Sequence, residues 1–512
     1  MNVSAKNQTV WQSSAAVRAT AAFAGFALVG WLLTMTFFQL FERFGVAGTT
    51  ALLVAVPLAI VIGIGALPEF FGGIRDVIRG FGWQEWLWSL LFISAMSFEA
   101  GSTVKETMNS PLAGNKFVIL RLGTEAIVTF VLAWRVVSGK NSLKYLFTGL
   151  SGLMGLYCFI CLLSTTWSIV PLFTFFKSAE YTLDVVAAAV IFDSAKTSKD
   201  YLKVLNFTYV VYALETGSAW IGGVISPSTA FDEMGRLSGS FPMVGANGIG
   251  TTGAILTLMG ISRLMWNDSK RTIRAWYWAV VSFGAACMVV SHTRHAIGGF
   301  ILGLAVILIL TNRKWILFAL AAFATPLIAL PPISTTVITY LRRGQDDDAI
   351  RGLTSRTDFW GYAWQQLSYH PLTGLGAYAG GRFGVLEKIG RPDAGSLHSD
   401  WVEILVGTSF WGVLALFLAL AGTWWFLLRG RSSPRLNTLE HNLVVECTAI
   451  LSMLTLHSIF NDELAWHPPL MFLSLVGYAE LIRRKLKAQE SISSAHVVSR
   501  PEMAATFFRS PA

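Results

Sequence analysis

Charged side chains are scarce in this chain: Asp, Glu, Lys and Arg make up only 13% of 512 residues, whereas 54% are hydrophobic. A soluble protein of this length cannot bury that much apolar surface, because single cores stop growing well below this size. The composition therefore excludes an ordinary soluble enzyme and places the chain in the membrane class. Cysteine is also rare. The four present, Cys158, Cys161, Cys287 and Cys447, all fall inside apolar runs. They read as small hydrophobes and not as a disulfide framework or metal site, although Cys158 and Cys161 have a CxxC spacing. Also missing in any supporting context are the zincin, nucleophile-elbow, phosphate-loop and dinucleotide-binding signatures. No cleavable signal is expected, since the polar first residues lead directly into a full-length apolar run.

Long apolar runs are plentiful. A helix needs about 20 mostly apolar residues to cross a bilayer. Candidates lie near 19–40, 46–66, 83–98, 117–134, 145–163, 174–193, 204–225, 244–262, 275–292, 296–311, 315–333, 401–428, 444–460 and 469–482. The expected fold is all-α, a polytopic membrane protein of about 12–14 transmembrane helices.

Basic residues set the orientation. Arg75 and Arg79, then Arg135, Lys140 and Lys144, then Lys196, Lys199 and Lys203 fall in alternate turns. The pattern continues with Arg263, Lys270, Arg271 and Arg274, then Arg313 and Lys314, then Arg429, Arg431 and Arg435, then Arg483, Arg484, Lys485 and Lys487. The positive-inside rule puts these turns, and the N-terminus, in the cytoplasm. The expected layout is a cytoplasmic segment over 1–18, helices over 19–333, one large outer loop over 334–400, helices over 401–487 and a disordered cytoplasmic tail over 488–512. Long loops are usually functional and are where sites are placed.

The outer segments should be poor in arginine, yet Arg236, Arg294, Arg351, Arg356, Arg382 and Arg391 stand there. A guanidinium at a membrane interface needs a partner, and its planar fork matches phosphate oxygens. Converging arginines suit a pyrophosphate; snorkelling to headgroups or pairing with acids is the alternative. Arg121 and Glu125, spaced i,i+4 in one run, read as a structural pair. Glu180 and Asp184 repeat that spacing and fit either a polar cavity or an arginine partner. The Asp346-Asp347-Asp348 run reads as solvated loop tip more than as a metal cluster.

His398 stands where the long loop re-enters the membrane, followed by Asp400 and Glu403. A neutral imidazole there can act as general base, oriented by either acid. His292, His295, His370, His457 and His467 are expected on the same side, so position alone does not single out His398.

These residues together resemble a known family. The run Ser355-Arg356-Thr357-Asp358-Phe359-Trp360, then His370-Pro371-Leu372-Thr373-Gly374-Leu375-Gly376, then His398-Ser399 with Gly412, is similar to the O-antigen ligase/polymerase superfamily. Upstream, Ser164 to Pro171, Arg236 to Phe241 with Asn247, and Ser291-His292-Thr293-Arg294 follow the same order, so that the resemblance covers roughly 160–425. The family usually has glycine eleven residues after the histidine, where this chain has Ser409; the small serine reads as tolerated for close helix packing. The resemblance implies a GT-C type glycosyltransferase fold and a metal-independent, inverting transfer of a glycan from undecaprenyl pyrophosphate to an acceptor hydroxyl at the periplasmic face of a bacterial inner membrane. In that reading Arg236 and Arg294 hold the pyrophosphate, with Arg356 a third candidate, and His398 is the catalytic base. No cofactor, metal or nucleic acid is implied; the partners are the lipid-linked glycan, a glycan or lipid acceptor, and the bilayer. Ligase, O-antigen or exopolysaccharide polymerase, and protein O-glycosyltransferase share the donor and stay open. A polysaccharide flippase is the alternative from another class, although no internal repeat of the kind transporters carry is visible. A purely structural partner of a synthase would leave Arg236, Arg294 and His398 replaceable.

Overall fold

The computed structural model describes residues 75, 81–95, 116–232, 234–240, 243–266, 271–342, 356–391, 394–465 and 469–506. The apolar runs near 19–40 and 46–66, together with Arg79, Arg351, Asp346-Asp347-Asp348 and His467, lie outside the described residues. The other twelve apolar runs each form a helix: α1 Trp83–Ala95, α2 Lys116–Val137, α3 Gly149–Leu163, α4 Pro171–Ser194, α5 Ser198–Ile225 and α6 Ala246–Leu264. Then follow α7 Arg271–Val290, α8 Arg294–Leu310 and α9 Lys314–Ala329; after two loop helices come α12 Asp400–Arg431, α13 Thr438–Phe460 and α14 Leu470–Thr506. The last helix thus runs past residue 488, where the tail was expected to begin.

The protein is an all-α polytopic membrane protein. By length and composition, four helical stretches among the described residues are apolar enough to cross a membrane: Gly149–Thr166, Arg271–Val290, Asp400–Arg431 and Thr438–Phe460, with Arg294–Leu310 shorter. Several of the others carry charges that are neutralised inside the bundle. Arg121 pairs with Glu125 at 3.2 Å, as its i,i+4 spacing implies, and reaches across to Glu180 of α4 at 2.5 Å, which Lys177 also meets at 2.9 Å. Glu180 is therefore an arginine partner, and α2 is tied to α4. Arg263 of α6 meets buried Glu446 of α13 at 3.0 Å, and the Tyr209 hydroxyl of α5 donates to the same carboxylate. Removing one member of such a pair leaves an uncompensated buried charge, a penalty of about 3–5 kcal/mol. All four cysteines are free and buried.

Local signals set the helix starts. Thr197 and Asp200 form a capping box at α5, Asn437 and Glu440 another at α13, and Pro171 opens α4. The two boxes satisfy N–H groups that the first turn cannot, and Pro171 removes one such group altogether. The main core is shared by α1 to α8 and α12 to α14. Helix α6 packs along α7, α8 along α13, and α12 against α3 and α13.

The 334–400 loop is not structureless. Helix α10 Pro331–Arg342 enters it, α11 Arg356–Tyr369 crosses it, and a π-helical turn spans Gly380–Leu386. Beneath lies a second core of Phe359, Ala363, Leu375, Val385, Leu386, Leu397 and Val406. The loop docks on a break in α12. Ser409 has φ 58° and ψ −156°, a region natural mainly to glycine. The break leaves the Val406 and Gly407 carbonyls without helical donors, and the Leu375 and Gly376 N–H groups take them, each at 2.8 Å. Gly374 and Gly376, at φ 67° and 101°, let that turn approach. The Ser409 hydroxyl closes the joint by donating to the Pro371 carbonyl. Glycine at position 409 is thus favoured by the left-handed backbone and not, as expected above, by close packing alone.

Candidate active site

Arg356 and Trp360 stand one turn apart at the start of α11, so both face the irregular segment 396–399. The Trp360 indole N–H donates to the Leu397 carbonyl at 3.0 Å, and the Leu397 N–H donates to Glu403 at 3.2 Å. Leu397 is thus held on both sides, and the next residue, His398, adopts φ 55°.

His398 Nδ1 faces the Ser396 hydroxyl at 3.4 Å, and that hydroxyl donates to Asp462. With its proton committed to the carboxylate, the serine oxygen is left as an acceptor for the ring. The proton then belongs on Nδ1, and Nε2 presents its lone pair. The sequence offered Asp400 or Glu403 to orient the ring, but in the structure the acid in line is Asp462, reached through Ser396. Asp400, fully buried, instead accepts the backbone N–H groups of Glu463, Leu464 and Ala465 at 2.9, 2.8 and 2.9 Å. It fastens the turn after α13 and so presents Asp462. Glu403 braces Leu397 and packs against Gly381. Asp462 and Ser396 were missed from sequence; the one signal was the polar break Asn461-Asp462-Glu463 between two apolar runs.

Three of the four sequence candidates share one electrostatic neighbourhood. Burial first, then the Arg356 charge, lowers the His398 pKa from 6.5 to about 4. Burial also pulls the Arg356 guanidinium below its ordinary range; Asp462 opposes this and the Arg294 charge adds to it. Arg294 opens α8 and donates to the Arg342 carbonyl at 3.3 Å, which ties it to the end of α10. The imidazole is therefore neutral beside Arg356, and the mutual repulsion of Arg356 and Arg294 favours an anion between the arginines.

Arg236 differs. Both its Nε and a terminal nitrogen meet Asp232 at 2.7 Å, the acid-paired alternative left open by the sequence. Its link to the site is through backbone: the adjacent Leu237 N–H donates to the Val290 carbonyl at 3.1 Å. Leu237 packs in a small core with Ala219, Ile249, Cys287 and Val290, and a short ribbon, Gly239–Ser240 with Met243–Val244, leads into α6. Thr293 donates to the Ala246 carbonyl at 3.1 Å, joining the α6 start to the residue before Arg294. Arg382 lies over the Phe173 and Phe383 rings, and Arg391 over Phe359.

Behind Arg294, ligand-type atoms of His295, His457 and Glu463 lie within 4.8 Å of one another. His457 Nε2 is engaged by the His295 carbonyl at 2.8 Å, while Glu463 accepts from Thr251 and Asn461 at 3.1 and 2.9 Å. The trio is already knit by these bonds into a hydrogen-bonded cluster that ties α8 to α13 and α6.

No curated protein matches the chain. A family model described as O-Antigen ligase matches residues 278–420, which include Arg294, Arg356, His398 and the break at Ser409. Arg236 and Asp462 lie on either side of the match. The family resemblance drawn from the ordered motifs thus holds over residues 278–420, which match an O-antigen ligase family, and the match supports a ligase- or polymerase-like function in polysaccharide biosynthesis.

Proposed function

We propose that the protein is a metal-independent, inverting membrane glycosyltransferase that moves a glycan from undecaprenyl pyrophosphate to an acceptor hydroxyl at the periplasmic face of the inner membrane. The observation that carries this reading is the line His398–Ser396–Asp462 beside Arg356 and Arg294. In this mechanism Nε2 of His398 takes the acceptor O–H proton as the oxygen attacks the anomeric carbon. The bond from that carbon to the pyrophosphate oxygen breaks on the opposite face, and the electron pair leaves with the pyrophosphate. Arg294 and Arg356 stabilise the departing charge, while the Nδ1–Ser396–Asp462 line holds the tautomer and balances the imidazolium. Arg236, already neutralised by Asp232, shapes the entrance and binds phosphate only by exchanging that partner. Donor binding also places negative charge beside Arg356, which raises the basicity of His398 when it is needed.

The test is transfer by purified protein from an undecaprenyl-pyrophosphate glycan in detergent containing EDTA. The reading expects transfer with chelator present and its loss in His398→Ala. Transfer that stops with chelator, or persists at full rate without the imidazole, overturns it. Surface glycans of a deletion strain separate the two forms of the activity: intact unattached chains mark a ligase, and single repeats a polymerase.

A further inference from the structure

The turn fastened by Asp400 has two faces. Asp462 looks toward His398, and its neighbour Glu463 looks the other way, into a cavity of about 310 Å³ between the starts of α6 and α14 and the sides of α1 and α5. Glu215 of α5 lines the opposite wall, and its carboxylate makes no hydrogen bond or ion pair among the described residues. Thr251 and Thr252 add hydroxyls. The Phe92 and Tyr212 rings, 5.7 Å apart and edge to face, supply an apolar wall.

Among the described residues the lining contains two carboxylates and no cation, a set that repels a phosphate and does not suit a pyrophosphate. Carboxylates that accept, hydroxyls that donate or accept, and an aromatic face match a neutral sugar ring, whose hydroxyls donate outward and whose C–H faces are apolar. The size is that of a small-ligand pocket. We propose that this cavity holds a sugar unit of the acceptor glycan, with its hydroxyls donating to Glu215 and Glu463. The acceptor assignment rests on the function proposed above: a carboxylate-lined pocket suits the neutral sugar of the acceptor, while the arginines hold the charged donor.

Labelling tests the sugar site without any need for catalysis. The full-length protein in a sugar-free polyoxyethylene detergent is treated with dicyclohexylcarbodiimide, and modification of Glu215 is read by peptide mass spectrometry. Dodecyl maltoside is the probe, and dodecyldimethylphosphine oxide, uncharged and without a hydroxyl, the control of equal chain length. Loss of one hydrogen bond to a charged acceptor changes affinity about tenfold. We therefore expect the maltoside to slow labelling by about that factor and the phosphine oxide to leave it unchanged. Equal labelling with and without the sugar headgroup, or equal protection by the phosphine oxide, overturns the proposal. Glu215→Gln, which keeps volume, supplies the second measurement: the acceptor KM rises about tenfold with donor KM unchanged. A rise in donor KM instead removes the acceptor assignment even where the labelling result stands.

Discussion

The Asp400 carboxylate accepts the backbone N–H of Ala465 at 2.9 Å, and with it those of Glu463 and Leu464. One carboxylate at the start of α12 therefore fixes the turn that follows α13, and the Asp462 of that turn reaches Ser396.

This arrangement separates two acids that alignment by position alone would confuse. Asp400→Ala orphans three N–H groups, a loss on the order of 3 kcal/mol, and we expect a lower thermal midpoint together with lost activity. Asp462→Asn should leave the midpoint near wild type and lower kcat. Equal effects on stability would mean that Asp462 is structural.

Ser396→Ala removes the bridge between His398 and Asp462 while leaving both in place. Transfer should fall by about tenfold to a hundredfold, as for loss of a group that positions a general base. Ser396→Thr, which retains a hydroxyl, should recover most of it. A kcat unchanged in the alanine variant would remove the relay from the mechanism.

The pH response follows from the depressed pKa of His398, about 4 in the folded protein against 6.5 in the unfolded chain. Between these values the unfolded state binds the extra proton, so stability rises with pH there. His398's contribution is fully present above 6.5 and is lost as pH falls to about 4. For kcat/KM, the acid limb should likewise lie near pH 4 in the free enzyme. Arg356→Gln removes one cause of the depression, and the limb should move upward; a limb that stays put would place the two groups out of electrostatic reach.

At position 409 the backbone and the hydroxyl pull in opposite directions. Ser409→Gly relieves a left-handed conformation worth about 1–3 kcal/mol but gives up the bond to Pro371, so the thermal midpoint should change little. Ser409→Ala keeps the strain and loses the bond, and should be the less stable of the two. The reverse order would show that packing, not backbone conformation, governs the site.

Much of this fold was legible because membrane helices announce themselves by length and hydrophobicity, and twelve apolar runs map onto described helices. Arg294, Arg356 and His398 were legible as polar groups out of place, and the structure gathers them. What could not be read was pairing across distance. Asp462 is 64 residues from His398 and sits on a different helix end, while Asp400, two residues away, points elsewhere because the first turn of α12 faces the α13–α14 turn. The Arg236–Asp232 pair lay within four residues, but its geometry depends on the tight turn that Gly235 makes at φ 70°. The break in α12 was hidden because hydropathy runs through it without interruption.

That break also divides labour along one apolar segment. Residues 410–431 alone, at 1.5 Å per residue, are long enough to reach from one side of a bilayer to the other. The turns before Ser409 are thus released from the task of anchoring. They stand as a short pillar at the membrane surface, stitched to the loop through Leu375, Gly376 and Pro371. Lengthening or tilting of the anchor is absorbed at a joint that ends below His398, so that the lipid-facing half of the helix is free to vary while the histidine keeps its place.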